Sequence, residues 1–192
     1  MNKVKNKNLL ERTKTYLIGH MQYKSGRDWR KDVTDELQPL GITVFDPYHK
    51  PFVEDVDEDE PARVEMLEMM EDGKYDELTR RMKKVRNYDL NLVDRSDFII
   101  GNLQPEIASW GSAEEIVTAV REQKPLFIAI EGGKSKTPLW MLAMFPHKYI
   151  YDSIDEVIDV IKDIDSGKKR LDSGRWKLLK NCLLYTSDAA DE

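Results

Sequence analysis

The stretch VRNYDLNLVDRSDFIIGNL, residues 85–103, changes its hydrophobic period halfway along. Up to Arg95 the apolar residues recur every three or four positions, the spacing of an amphipathic helix. From Asp97 to Leu103 they run almost without interruption, as in a short strand covered on both faces. A helix leading directly into a doubly covered strand is half of a strand–helix–strand unit, and such units build parallel sheets flanked by helices.

Outward from there the same alternation repeats. TYLIG (residues 15–19) reads as a first strand, ITVF (42–45) as a second and DFIIGNL (97–103) as the third. PLFIAI (125–130) is a fourth and KYIY (148–151) a weaker fifth. GRDWRKDVTDELQPLG (26–41) is helical, with Trp29, Val33 and Leu37 four apart before Pro39 and Gly41 stop it. Further helical patterns cover 75–95, 112–122 and 153–165, and no internal repeat interrupts them. The expectation is an α/β fold, a Rossmann-like (flavodoxin-like) three-layer sandwich around a roughly five-stranded parallel sheet, over residues 14–165. In such sheets ligands bind at the C-terminal strand ends, where the strand order switches.

Composition narrows the function. The chain has 192 residues, 34% charged and 40% apolar, enough to bury a core within one domain. A net charge of -6 gives no reason to expect nucleic acid as a partner. No apolar run approaches a membrane span. The basic start MNKVKNKNLLERTK has no apolar stretch after it and is not a secretory signal. A single cysteine, Cys182, excludes an internal disulfide framework and a cysteine-rich zinc site. The expected location is the cytoplasm.

Three segments stand apart. VEDVDEDEPARVEM (53–66) begins with an acidic run that lacks the central glycine of a calcium loop, so a solvated loop is expected rather than a metal site. SGKKRLDSGRWKLLKN (166–181) is basic and reads as a surface helix or as a docking arm. CLLYTSDAADE (182–192) resembles a translated sequencing adapter. On that reading it is a non-native tail, Cys182 is not native, and no function is assigned to it.

Candidate chemistry begins with Asp89. On a wheel of about 100° per residue, Leu78, Met82, Val85, Leu92 and Val93 share one apolar face and Asp89 lies in its middle. A carboxylate there is costly unless it is paired or lines a cavity, and burial favours its protonated form. That suits a general acid, and a structural ion pair or an N–H acceptor explains it equally well. Glu115 fails the same test, because the expected apolar face of its helix is Ala113, Ile116, Val117 and Val120. With Ser112 it has the S-x-x-E spacing of a capping box, which needs no catalysis. Yet a carboxylate near the start of a helix at the ligand edge is held ionised, as a nucleophile must be.

TYLIGHM, VRNYDLNLVDRSDFIIGNL and WGSAEEIVTAVREQKPLFIAI together resemble the nucleoside 2-deoxyribosyltransferase family, including its phage-type members, over roughly residues 14–165 in order and spacing. The resemblance places the family's strand-end tyrosine on Tyr16 and its helix aspartate on Asp89. Its G-[TS]-x-x-E nucleophile motif falls on Gly111, Ser112 and Glu115. It implies N-glycosidic cleavage of 2'-deoxynucleosides: Glu115 attacks the anomeric carbon, Asp89 protonates the departing base, Tyr16 positions Glu115, and a second base or water resolves the intermediate with retention. It calls for no metal or organic cofactor. Small-molecule deoxynucleosides or deoxynucleotides and free nucleobases are the implied partners, and a non-catalytic nucleotide-binding module on the same scaffold is the alternative, since a fold does not fix its chemistry.

One position departs from the family. Its transferases carry an aspartate six residues before the nucleophile, where this chain has Ser109. The related deoxynucleoside 5'-monophosphate N-glycosidases have a serine there that holds the 5'-phosphate. Ser109 with Lys24 or Arg27 is therefore a candidate phosphate site, or Ser109 is only a loop residue. Gly19 and His20, at the end of the first strand, are candidate substrate contacts, whereas His49 and His147 sit beside prolines in loops. TPLWMLAMF (137–145) is either core or, as the resemblance implies, a segment reaching a neighbouring subunit. Trp140 and Met141 would then complete a partner's site in a homo-oligomer.

Overall fold

The apolar runs pair as strands because a parallel ladder buried on both faces leaves no side chain a reason to be polar. The computed structural model describes residues 8–21, 25–49, 60–107 and 109–171. β1 (Lys14–Gly19), β2 (Thr43–Phe45), β3 (Phe98–Leu103), β4 (Leu126–Ile130) and β5 (Ile150–Tyr151) form one all-parallel sheet in the order β2-β1-β3-β4-β5. Their bounds lie within two residues of those expected. Every side chain of β4 is buried, as are those of the first four residues of β3.

Helices cover both faces. α1 (Ser25–Leu37) packs on β2 and on α6 (Ile154–Asp165), which also covers β4 and β5. On the other face α3 (Tyr75–Arg95) and α4 (Trp110–Arg121) pack on each other and on β1. The fold is the three-layer flavodoxin-like sandwich. After β2 the chain returns past β1 to β3, so the switch in strand order lies between β1 and β3.

Local chemistry accounts for the boundaries. Trp29, Val33 and Leu37 of α1 are buried, and the helix gives way to a 3-10 turn over Gln38–Leu40. Gly41 then takes φ 82°, the left-handed conformation that glycine adopts without the Cβ crowding an L residue meets there. On α3 the apolar face is as read from the sequence, with Leu78, Val85, Asp89, Leu92 and Val93 buried, while Met82 stays 40% exposed.

Three readings need correction. α4 starts at Trp110 with Ser109 as its N-cap, one turn before the expected cap at Ser112. Its buried face is Ser112, Glu115, Ile116 and Ala119, whereas Ala113 and Val117 are exposed. A wheel weighted by hydrophobicity chose both valines, of which only Val120 packs against the core, and Glu115 turns inward because it has a polar partner in Tyr16. Second, residues 60–66 of the expected acidic loop belong to α2 (Glu60–Glu71), with Pro61 in the first turn, where a missing N–H costs nothing. Residues 50–59 lie outside the described part. Third, residues 166–171 of the basic segment form turns and bends, with Leu171 buried, and everything from 172 onward, the expected tail included, lies outside the described residues. A short helix not expected from the sequence, α5 (Leu139–Met144), follows β4.

Before β1, Leu10 is buried and its N–H donates to Asp165 Oδ1 at 2.8 Å, which joins the start of the described chain to the end of α6. Among the described residues no helix is long and apolar enough to cross a membrane, and no group of three or more His, Cys, Asp or Glu residues could hold a metal.

Ile100, fully buried in β3, lies at the centre of the core. Ile100→Ala is expected to lower the unfolding free energy by about 2–5 kcal/mol in urea titrations, with the slope unchanged. A loss below about 1 kcal/mol would mean that the core collapses around the gap or does not centre on β3.

Candidate active site

At the C-terminal end of β1, beside the switch in strand order, lies a cavity of about 520 Å³, within the usual range for small-molecule sites. β1 and the residue after it contribute Tyr16, Gly19 and His20. α3 supplies Met82, Val85 and Asp89, and α4 with its cap supplies Ser109, Gly111, Ser112 and Glu115. Arg63 and Met66 of α2 close another side.

Tyr16 is fixed by two ladders, paired with Phe45 of β2 and Ile99 of β3. Its buried Oη donates a 2.8 Å hydrogen bond to Glu115 Oε1. Burial first, then the negative charges of Glu115 and Asp89, hold the phenol's pKa well above that of a free tyrosine. It therefore stays protonated and donates. Tyr16, Asp89 and Glu115 line the same cavity; Asp89 is 8% and Glu115 9% exposed. Glu115 is the sixth residue of α4, past the first turn. The capping role belongs to Ser109, whose Oγ accepts from Ser112 N at 3.3 Å and donates to Ser112 Oγ at 2.9 Å.

Gly19 is required by close approach, since a Cβ there would come within 2.7 Å of the Asn102 carbonyl oxygen on β3. At Gly111 a Cβ would meet nothing within 4 Å, so packing within the chain does not demand that glycine. His20 is buried, and burial followed by the nearby Arg30 charge lowers its pKa, which keeps the imidazole neutral near neutral pH. At the cavity mouth Arg86 forks onto Glu114, with its Nε 2.7 Å from Oε2, and so ties α3 to α4. Trp110, 90% exposed, stands at the same mouth.

Other expected residues lie elsewhere. Trp140 and Met141 do not line this cavity: Trp140 is 82% exposed on α5, and Met141 is buried in the core of its own chain. His49 and His147 are exposed away from it. Arg27 stacks on the Tyr48 ring, 4.5 Å from its centroid, and Lys24 lies outside the described residues. The cations in the described wall are instead Arg63 and Arg86.

Sequence reading missed Arg30. It is fully buried, and its guanidinium donates to the carbonyls of Gly19 (2.9 Å), His20 (3.2 Å) and Gly26. Asp46 lies 3.7 Å away, and Tyr48 Oη donates to the next carbonyl, Met21 O, at 2.8 Å. Two side chains thus hold three successive carbonyls, from the last residue of β1 to Met21. The signal was available, because Arg30 falls on the same wheel face as Val33 and Leu37, the test that had singled out Asp89.

Among solved structures, the chain is similar to a 2-deoxyribosyltransferase from the psychrotolerant bacterium Bacillus psychrosaccharolyticus, with a TM-score of 0.51 and 17% identity over 76% of this chain and 90% of that one. A CMP N-glycosidase from Clostridium botulinum gives a TM-score of 0.45 at 12% identity over 78% of this chain and 98% of that one. At these identities the likeness is one of fold. No family sequence model and no curated protein sequence matches the chain.

The Tyr16 environment can be read by phenolate absorbance, as the difference between the protein and Tyr16→Phe; this removes Tyr151, which burial pushes up to about 12. Tyr16 is expected to ionise later than exposed tyrosines. Glu115→Gln, by removing one negative charge, should bring its ionisation to lower pH. An unchanged Tyr16 titration in that variant would contradict the pairing.

Proposed function

We propose that the protein cleaves the N-glycosidic bond of 2'-deoxynucleosides through a covalent intermediate on Glu115 and transfers the deoxyribosyl group to a second base. The observation that carries this is the Tyr16–Glu115 hydrogen bond in a cavity that Asp89 also lines, at the sheet's ligand edge. The family resemblance of the three sequence stretches agrees with it.

In this mechanism Glu115 is ionised and Asp89 protonated, since two neighbouring carboxylates at one site disfavour double ionisation. A Glu115 oxygen attacks C1' as the C1'–N bond breaks, and the electron pair leaves with the base, which takes the Asp89 proton. A second base then attacks C1', returns a proton to Asp89 and releases Glu115, so two inversions give net retention. Tyr16 holds the attacking carboxylate in one orientation, which favours the near-attack geometry. Met66, Met82, Val85 and Trp110 offer the base an apolar surface.

A second reading is hydrolysis of deoxynucleoside 5'-monophosphates, favoured by Ser109 at a helix N-terminus with Arg63 and Arg86 in the same wall. Incubation with deoxyinosine, dCMP and dUMP, with and without adenine, separates the two. New deoxyadenosine supports transfer, free base without exchange supports hydrolysis, and binding without turnover contradicts both. Glu115→Ala is expected to lose on the order of 10³-fold or more in turnover, and Asp89→Asn about 10²–10⁴-fold. Full activity in Glu115→Ala would contradict the covalent route.

The same reading includes a homo-oligomer whose α5 segments meet a neighbour's cavity. It is supported by the exposure of Leu139 (85%) and Trp140 (82%). Light scattering should give a mass above 22.4 kDa; a monomer at assay concentration counts against shared sites.

A further inference from the structure

At the cavity wall two arginines face two carboxylates. Arg63 and Arg86 are the cations lining it, and Glu114 and Glu115 are the anions, given a protonated Asp89 and a neutral His20. A wall so balanced suits an uncharged ligand. The balance depends on one contact. Arg86 donates from Nε to Glu114 Oε2 at 2.7 Å and from Nη2 to Glu114 Oε1, a bidentate fork that commits one whole edge of the guanidinium. The same hydrogen bonds hold the Glu114 carboxyl below its ordinary pKa, so it is ionised at neutral pH.

Fold stability gives this fork little to do. Its side chains are 55% and 40% exposed, and exposed ion pairs contribute little to stability. α3 and α4 already pack on each other. Its placement bears on the chemistry instead. Arg86 lies three residues from Asp89 on α3, a neighbour on the helix surface, and Glu114 adjoins Glu115 on α4.

We propose that Glu114 is a specificity-determining residue: by occupying Arg86 it withholds that guanidinium from anions, so the cavity takes neutral 2'-deoxynucleosides and rejects their 5'-monophosphates. This deepens, and rests on, the nucleoside reading of the same cavity.

A phosphate ester brings about two further negative charges to a wall that already holds two carboxylates. To pair through the committed edge of Arg86 it must break the fork and leave Glu114 unpaired beside it. Arg63, on α2, is then a single cation against three anionic groups. Ser109 adds no compensating charge, and its hydroxyl is engaged with Ser112. The 5'-hydroxyl of a nucleoside meets none of these costs. Selectivity of this kind works by opposing the wrong ligand rather than by adding contacts to the right one.

The test is isothermal titration of the full chain with deoxycytidine, dCMP and inorganic phosphate. The wild type should bind deoxycytidine at least as tightly as dCMP. Glu114→Ala frees the guanidinium, so the affinity for dCMP relative to deoxycytidine should rise about 10-fold or more, and inorganic phosphate should bind more tightly as well. In the double variant, Arg86→Gln with Glu114→Ala, that gain should disappear. Both positions are exposed on helices, and alanine and glutamine are good helix formers, so the variants fold.

Four results overturn the proposal: a wild type that prefers dCMP, an unchanged ratio in Glu114→Ala, a gain that survives in the double variant, or a Glu114→Ala protein that binds neither dCMP nor inorganic phosphate. Titration needs no turnover. A wild type that cleaves no nucleoside therefore overturns the proposed function, while the ratio still tests Glu114.

Discussion

A carboxylate taken out of water loses hydration worth several kcal/mol, and at the strand switch Glu115 recovers part of it from the Tyr16 phenol. The rest of the site follows from that contact. Tyr16 can donate there because its strand is held on both sides, by β2 and by β3, which leaves the phenol little freedom. α4 presents Glu115 to β1 and buries Ile116 and Ala119 beside it, leaving Val117 outward. Asp89 then shares the volume from α3, and the Arg86–Glu114 fork joins the two helices at the rim.

What was legible in the sequence was whatever a period can carry. The five strands and α3 announce themselves because doubly buried strands are uninterrupted apolar runs and a long helix samples its face many times. Asp89 was visible as a polar residue in an apolar row. Glu115 was misread because α4 is short and its interface is built from a small residue and a satisfied carboxylate, neither of which raises a hydrophobic count. α2 was hidden by its acidic approach and by weak amphipathicity: Ala62 and Met69 face inward while Val64, Leu67 and Met70 are exposed. Arg30 was passed over because a basic residue beside an apolar stripe usually snorkels to solvent; here it turns inward to three carbonyls.

The fold alone does not choose between transfer and hydrolysis, since both need the same cleavage half-reaction and differ in what resolves the intermediate. The features that bear on the choice are peripheral to the two carboxylates. A mostly apolar wall with an exposed Trp110 suits a second planar base, whereas Arg63, Arg86 and the Ser109 cap suit a phosphate. Exclusion of water separates the outcomes physically, and an oligomer that covers α5 would contribute to it.

The proposed covalent role of Glu115 is tested most directly by intact-protein and peptide mass spectrometry after incubation with a 2'-fluoro nucleoside carrying a good leaving group. The fluorine destabilises the oxocarbenium-like transition states and slows resolution of the intermediate. A fluorinated pentosyl adduct on the peptide containing Glu115, absent in Glu115→Gln and released by added adenine, is the predicted result. Base release with no adduct, or an adduct on another residue, would contradict it.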